Sequence, residues 1–271
     1  MDTLKSVIAL MTPNCYMASV DLKDAYYTVP MSVDSQKNLK FMWRNQAYAY
    51  TCLPNGLGPG PRVFTKIMKP LYAGLRQLGH INAGFIDDIY LQGSTVEECR
   101  ENVKDTVELL SDSGFIVHPV KSVFTPCQIL PHLGFVLNST LMIVTMTTEK
   151  STKVALACQN LQHAGLVTIQ ELAEVVGQLV ASFPGVQYGP LFYRRLDNHK
   201  TLALKFSRGN YQGKTLLSQE CMEDLEWWID NVATAVNQIS HGSPGLYINR
   251  CLIHRLGRSC WRTGDRRAVV S

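Results

Sequence analysis

The sequence predicts an α+β protein in which a mixed β-sheet carries two helices on one face and a helical segment follows. Three observations lead there. Strand-like and helix-like signals alternate over the first hundred-odd residues. Two amphipathic stretches flank the short run "FIDDIYL" (85–91), and beyond about residue 147 the pattern turns helical. The 46% hydrophobic and 18% charged content is that of a folded chain, and 271 residues suffice for one large or two ordinary domains.

Each element has its own local reason. "YMASVDL" (16–22) is a short apolar run ending on an acid, a strand. "LKFMWRNQAYAYTC" (39–52) has two alternating aromatic segments around Arg44-Asn45-Gln46, a hairpin. After the turn-rich "LPNGLGPGP" (53–61), Val63, Phe64, Ile67, Met68, Leu71, Leu75 and Leu78 recur at helical spacing, with Pro70 expected to kink the helix and Gly79 to end it. A second helix is expected to open with Ser94 as cap and Glu97 three residues on. Its stripe is Val96, Cys99, Val103, Val107 and Leu110, and Gly114 stops it. "FIVHP", "SVFT" and "HLGFVL" read as short strands. Helices are expected over 149–164, over 168–183 with Thr168 and Glu171 as a capping box, and over 218–236, their apolar stripes forming core.

Composition excludes some classes and leaves others open. No apolar run approaches the roughly 18 residues of a membrane span, and "SVIALM" near the start is too short for a signal peptide. The eight cysteines show no ligand spacing and read as thiols of a reducing compartment, so the expectation is a soluble intracellular protein, cytoplasmic or nuclear. The net charge of +4 is misleading: residues 250–271 hold six arginines against Asp265, a net +5, which leaves −1 for the rest. Global charge therefore assigns no partner to the body of the chain.

The chemistry is carried by acids. Asp87 and Asp88 are adjacent within an apolar run, either because they occupy a tight turn, where Asp is favoured, or because they bind something positive. Asp21 ends a second strand in "SVDLKDAYYTVPM" (19–31), and in the predicted sheet it neighbours the hairpin bearing Asp87 and Asp88. Three carboxylates converging on one edge are electrostatically unstable without cations. Their hard oxygens suit Mg²⁺, two of which, roughly 3.5 to 4 Å apart, clamp the attacking and leaving oxygens of an in-line phosphoryl transfer.

These residues also match a family. Residues 3–240 resemble the palm and thumb of reverse transcriptases, most closely those of DIRS-like, tyrosine-recombinase retrotransposons. The motifs are "DLKDAYYTVPM", "LPNGLGPGPRVFTKIMKPL", "FIDDIYLQG", "GFIVHPVKS", "HLGF" and "ELAEVVGQLVASFPGVQYGPLFYRRL", in that order. The resemblance implies a right-hand polymerase palm with partial, truncated fingers over 1–146, a helical thumb or connection over 147–240, and an aberrant basic tail over 241–271 where an RNase H domain would begin. It implies RNA-directed DNA polymerase activity with two Mg²⁺, Mn²⁺ being possible, on dNTPs and a DNA primer paired to an RNA or DNA template.

By the same resemblance Asp21 and Asp87 are the principal metal ligands and Asp88 the supporting third. The main-chain amides around Leu22 and Lys23, with Asp24 and Ala25, lie near the triphosphate. Tyr26 is the aromatic that leaves no room for a ribose 2′-OH, and Asn55 and Gly56 contact nucleotide and template. Lys121 is the candidate proton donor to the leaving pyrophosphate, and His132, Leu133, Gly134 and Phe135 line the primer terminus. On their own merits Tyr26 and Tyr27 are equally packing aromatics, Lys121 a solvated lysine, and Arg194, Arg195 and Lys200 either duplex-backbone contacts or solvated charges. Asn55 stands where many relatives have Gln, and "GPGP" (58–61) replaces a Ser/Ala-rich turn. An inactive remnant retaining the fold or weak nucleic-acid binding is the alternative, and a cyclase-type nucleotidyl enzyme is disfavoured by the aromatic at 26. In the tail, no acid occurs between Asp230 and Asp265, so a frame-changed RNase H start and a basic nucleic-acid arm both stand.

Overall fold

The computed structural model describes residues 2–239. In chain order, α1 (Leu4–Leu10) precedes β1 (Tyr16–Lys23); α2 (Val33–Gln36) leads into the hairpin β2 (Lys40–Trp43) and β3 (Gln46–Ala49). Then come α3 (Gly60–Gln77), β4 (Ile81–Phe85), β5 (Asp88–Gly93), α4 (Val96–Asp112), β6 (Ile116–Val117) and β7 (Val123–Cys127). A meander follows of β8 (Ile129–His132), β9 (Phe135–Asn138) and β10 (Ile143–Met146). The remainder is α5 (Thr148–Ala164), β11 (Leu166–Thr168), α6 (Ile169–Ser182), α7 (Arg194–Phe206), β12 (Lys214–Leu216), α8 (Gln219–Asn231) and β13 (Val236–Gln238).

The main sheet has the order β4-β5-β1-β6, with β7 also pairing β1. β1 and β4 run the same way because each is antiparallel to β5. The α3 crossover carries the chain from β1 to β4, and β5 then folds back into the gap between them, a split β-α-β arrangement. The α+β class with two helices on one face is what the sequence predicts. The expectation of a mixed sheet is corrected: among the described residues every strand pairing is antiparallel, since the inserted β5 separates the two strands that would have made a parallel pair.

Side chains alternate across a strand, so β1 and β5 each have a core face and an opposite face. Ala18, Val20 and Leu22 of β1 and Ile89 and Leu91 of β5 are buried with Phe64, Met68 and Tyr72 of α3 and Cys99, Val103 and Leu110 of α4. The close approach of α4 requires Gly93, where a Cβ would lie 2.4 Å from the Cys99 backbone nitrogen. The opposite face carries Ser19, Asp21, Asp88 and Tyr90, and β8–β10 pair with β13 in a second sheet.

Several local expectations are revised. Helix α4 is capped by Thr95, whose side chain accepts from the Glu98 N–H, rather than by Ser94; the Ser94 N–H instead reaches the Glu98 carboxylate at 2.8 Å. "HLGFVL" is a tight hairpin, with Leu133 and Gly134 both at positive φ between β8 and β9. The last helix stops at Asn231, because residues 236–238 pair with β10. Helix α7 was not expected: Leu196 alone in it is buried, so it has no apolar stripe. The readings for residues 241–271 lie outside the described residues. Among the described residues no helix is long and apolar enough to cross a membrane.

Candidate active site

Across the β1–β5 ladder Asp21 stands directly opposite Asp88. Opposed residues of an antiparallel pair project from the same face, so two acids share the face turned away from the helices. Asp87 lies beside them in the two-residue turn between β4 and β5, where Ile86 takes φ 57° and the Asp87 carbonyl accepts the Leu22 N–H at 3.0 Å. The turn and the acidic cluster are thus the same feature: the tight turn is the device that delivers the second acid.

The electrostatics follow from this crowding. Asp88 is pushed up to about 6, first by burial, then by the charges of Asp87 and Asp21, with Lys121 pulling it down. Asp21 is raised as well, by burial and by Asp87, against the lowering influence of Lys121 and His118. Burial comes first again at Tyr26, whose phenol is pushed up with Asp87 as the second cause. The three carboxylates are therefore within electrostatic reach of one another, with Lys121 near Asp21 and Asp88, His118 near Asp21 and Tyr26 near Asp87.

A turn after β6 locks Asp21 in place. The Asp21 N–H donates to Ser122 Oγ at 3.0 Å, and its carbonyl accepts the His118 N–H at 2.8 Å. Ser122 Oγ in turn donates to the His118 carbonyl at 2.7 Å, and the Lys121 N–H donates to His118 Nδ1 at 3.3 Å. Sequence reasoning named Lys121 but missed His118 and Ser122. Their signal was the spacing within "HPVKS", a Pro-containing turn with a hydroxyl one residue past the lysine.

The other expected residues fall into two groups. Around the acids, Asp24 adopts a left-handed conformation at φ 53° and starts a short 3₁₀ turn over Ala25–Thr28. The Tyr26 ring packs edge-on against Phe64 at 5.3 Å, and its buried hydroxyl has no hydrogen-bond partner. Asn55 is exposed and its Nδ2 donates to the Tyr27 hydroxyl at 3.2 Å, next to Gly56 at φ 82°. The Leu22 amide donates to the Asp87 carbonyl. In the second group, the β8–β9 hairpin, His132 and Phe135 are buried and leave only the Leu133–Gly134 turn partly exposed. His132 packs against Tyr90, ring centroids 5.9 Å apart, and burial drives it down to about 4, so the imidazole is neutral.

In chemical type the three carboxylates fit a hard divalent cation, and the raised Asp88 marks a cluster short of positive charge. Among the described residues no group of three His, Cys, Asp or Glu side chains is already gathered at ligating distance.

Comparisons with known proteins bear on the family and the fold. Residues 1–137 match the family described as reverse transcriptase (RNA-dependent DNA polymerase). An uncharacterized protein of Caenorhabditis elegans, K02A2.6, is 32% identical over 119 residues, covering 44% of this chain and 9% of that protein. The Pro-Pol polyprotein of simian foamy virus type 1 is 27% identical over 120 residues, covering 44% and 10%. The chain thus spans only about a tenth of the length of these relatives. In structure it is similar to the foamy viral protease-reverse transcriptase. The TM-score is 0.65 against the form in complex with double-stranded DNA, at 21% identity over 87% of this chain and 38% of that one. Against the form in complex with RNA/DNA hybrid it is 0.62, at 22% identity over 85% and 29%. At these identities the likeness is one of fold, and it extends well past residue 137. With its first half matched by motif and most of its length by fold, the chain belongs to the reverse transcriptase (RNA-dependent DNA polymerase) family.

Proposed function

We propose that this chain is the RNA-directed DNA polymerase domain of a retroelement of the DIRS-like type, with palm and partial fingers over 1–146 and a helical thumb over 147–240. The observation that carries the reading is the juxtaposition of Asp21 and Asp88 across one ladder with Asp87 in the adjoining turn. In this reading Asp21, Asp87 and Asp88 hold two Mg²⁺, or Mn²⁺. When bound, these supply neutralisation of the attacking and leaving oxygens during in-line nucleotidyl transfer.

The chain's own groups do the rest. The exposed Lys23 and Asp24, with Ala25 buried beneath them, lie where the incoming dNTP phosphates approach. The Tyr26 ring, braced by Phe64, fills the space a ribose 2′-OH would need. Asn55 and Gly56 meet the nucleotide and template. Lys121, within electrostatic reach of Asp21 and Asp88, is the proton donor to the departing pyrophosphate. The Leu133–Gly134 turn supports the primer terminus, with His132 and Phe135 anchoring it from below.

The test is primer extension by the purified 271-residue chain on a primed RNA and a primed DNA template with dNTPs and Mg²⁺, wild type against Asp87→Asn. Extension by the wild type that the variant lacks is the expected result. Equal extension by both would remove Asp87 from the chemistry, and none by the wild type on either template would overturn the polymerase reading.

A further inference from the structure

Lys150 of α5 reaches from the neighbouring helical layer onto the hairpin turn between β8 and β9. Its ammonium sits over the Phe135 ring, 3.7 Å from the centroid, a short cation–π contact. Its stem fills the space beside Gly134, where a Cβ would lie 3.0 Å from Lys150 Cδ. Its Nζ also donates to the Ala181 carbonyl at 3.3 Å. That carbonyl is in the last turn of α6, where carbonyls lack helical partners and a cation is favoured.

The contacts form a closed circuit with the backbone. The Gly134 carbonyl accepts from both the N–H and the Oγ1 of Thr147, at 3.2 and 3.3 Å. Thr147 caps α5 by accepting the Lys150 N–H at 3.4 Å. Phe135 also lies against Gly185, where a Cβ would come within 3.0 Å of its ring. Beside the turn lies a cavity of about 390 Å³ lined by Leu133, Gly134, Lys150, Lys153, Val154 and Gln178. Beside this cavity the turn is held by the two Thr147 hydrogen bonds and by the Lys150 side chain.

We propose that Lys150 is a positioning residue for the polymerase reaction: it fixes the Leu133–Gly134 turn relative to α5 and α6 and so sets where the primer end rests. This rests on the polymerase reading above. Lysine suits the task because its long stem packs along the turn while its charged end reaches both the Phe135 face and the Ala181 carbonyl. Lys150→Met keeps the stem and removes both charged contacts, whereas Lys150→Arg restores a cation.

The test measures steady-state extension of a DNA primer on an RNA template by the full chain. Lys150→Met is expected to raise KM for primer–template about tenfold while kcat and KM for dNTP stay within about twofold, the signature of lost binding without loss of chemistry. Lys150→Arg is expected to recover most of that loss. An unchanged primer–template KM in Lys150→Met, or an arginine variant no better than methionine, overturns the assignment. A second measurement is independent of activity: a double-mutant cycle of Lys150→Met and Phe135→Leu in urea unfolding, with coupling between the two expected. Absence of coupling overturns the contact itself. A wild-type chain that extends no primer overturns the polymerase reading, and the cycle then still decides whether Lys150 holds the turn.

Discussion

Replacing Asp88 by asparagine removes a charge that the fold works against, and the size of the effect can be worked from the site. The Asp88 carboxyl titrates at about 6 in the folded chain against an ordinary value of 3.8. At about 1.4 kcal/mol per pH unit the full penalty is roughly 3 kcal/mol. The carboxylate is only partly buried, and solvent screening reduces this to about 1 to 2 kcal/mol. Because the folded value lies above the unfolded one, the acid favours folding at low pH, and this contribution is lost as pH rises through about 6. Asparagine has no such loss. In urea unfolding with a chelator present, Asp88→Asn is therefore expected to match the wild type near about pH 4 and to exceed it by about 1 to 2 kcal/mol near about pH 7.5. His132, driven down to about 4, acts in the opposite sense, costing stability as pH falls from 6.5 towards that value. It is common to both proteins and cancels in the difference. A variant less stable than the wild type at neutral pH, or a difference that does not change with pH, would refute the burial of Asp88 beside two other carboxylates.

Four further outcomes are expected. Asp87→Asn should abolish nucleotide incorporation while the unfolding transition remains cooperative, read by primer extension and urea unfolding on the same preparation. Added Mg²⁺ should raise the urea midpoint of the wild type, by preferential binding to the folded state, and raise that of Asp88→Asn less. Tyr26→Ala should increase incorporation of ribonucleotides relative to deoxyribonucleotides, measured as a ratio of kcat/KM values; an unchanged ratio in an active protein takes Tyr26 out of sugar selection. Gly93→Ala places a methyl 2.4 Å from the Cys99 nitrogen, which has to move, and an overpacking cost of roughly 1 to 3 kcal/mol is expected in thermal or urea unfolding.

Features written in local residue order were legible in the sequence. Thr168 and Glu171 announce the start of α6 because a capping box needs only residues three apart, and both of its hydrogen bonds are present. "STVEE" holds two overlapping boxes, and the choice between them is tertiary: β5 runs to Gly93, whose backbone α4 must approach, so the helix opens one residue later than read. Hydropathy also hides polar residues that serve the core. Asn102 and Thr106 are fully buried in α4, yet no apolar stripe includes them; the Asn102 amide donates to the Ile81 and Gln92 carbonyls, tying the helix to two strands. At the site, acids ending predicted strands pointed to Asp21 and the Asp87–Asp88 pair. Ser122 escaped notice because its role is to hold the backbone of a residue 101 positions away.

The insertion of β5 between β1 and β4 ties the birth of the site to the completion of the sheet. Asp21 and Asp88 are 67 residues apart, and no local structure brings them near each other; the intervening loop must close first, at an entropic cost that grows with its length. The acids meet only when β5 pairs with β1. A chain in which β1 and β5 are unpaired therefore keeps Asp21 away from the adjacent Asp87 and Asp88, and the three-carboxylate cluster is not assembled. Cation affinity becomes a reporter of that pairing: whatever delays the docking of β5 on β1 delays the charge cluster with it.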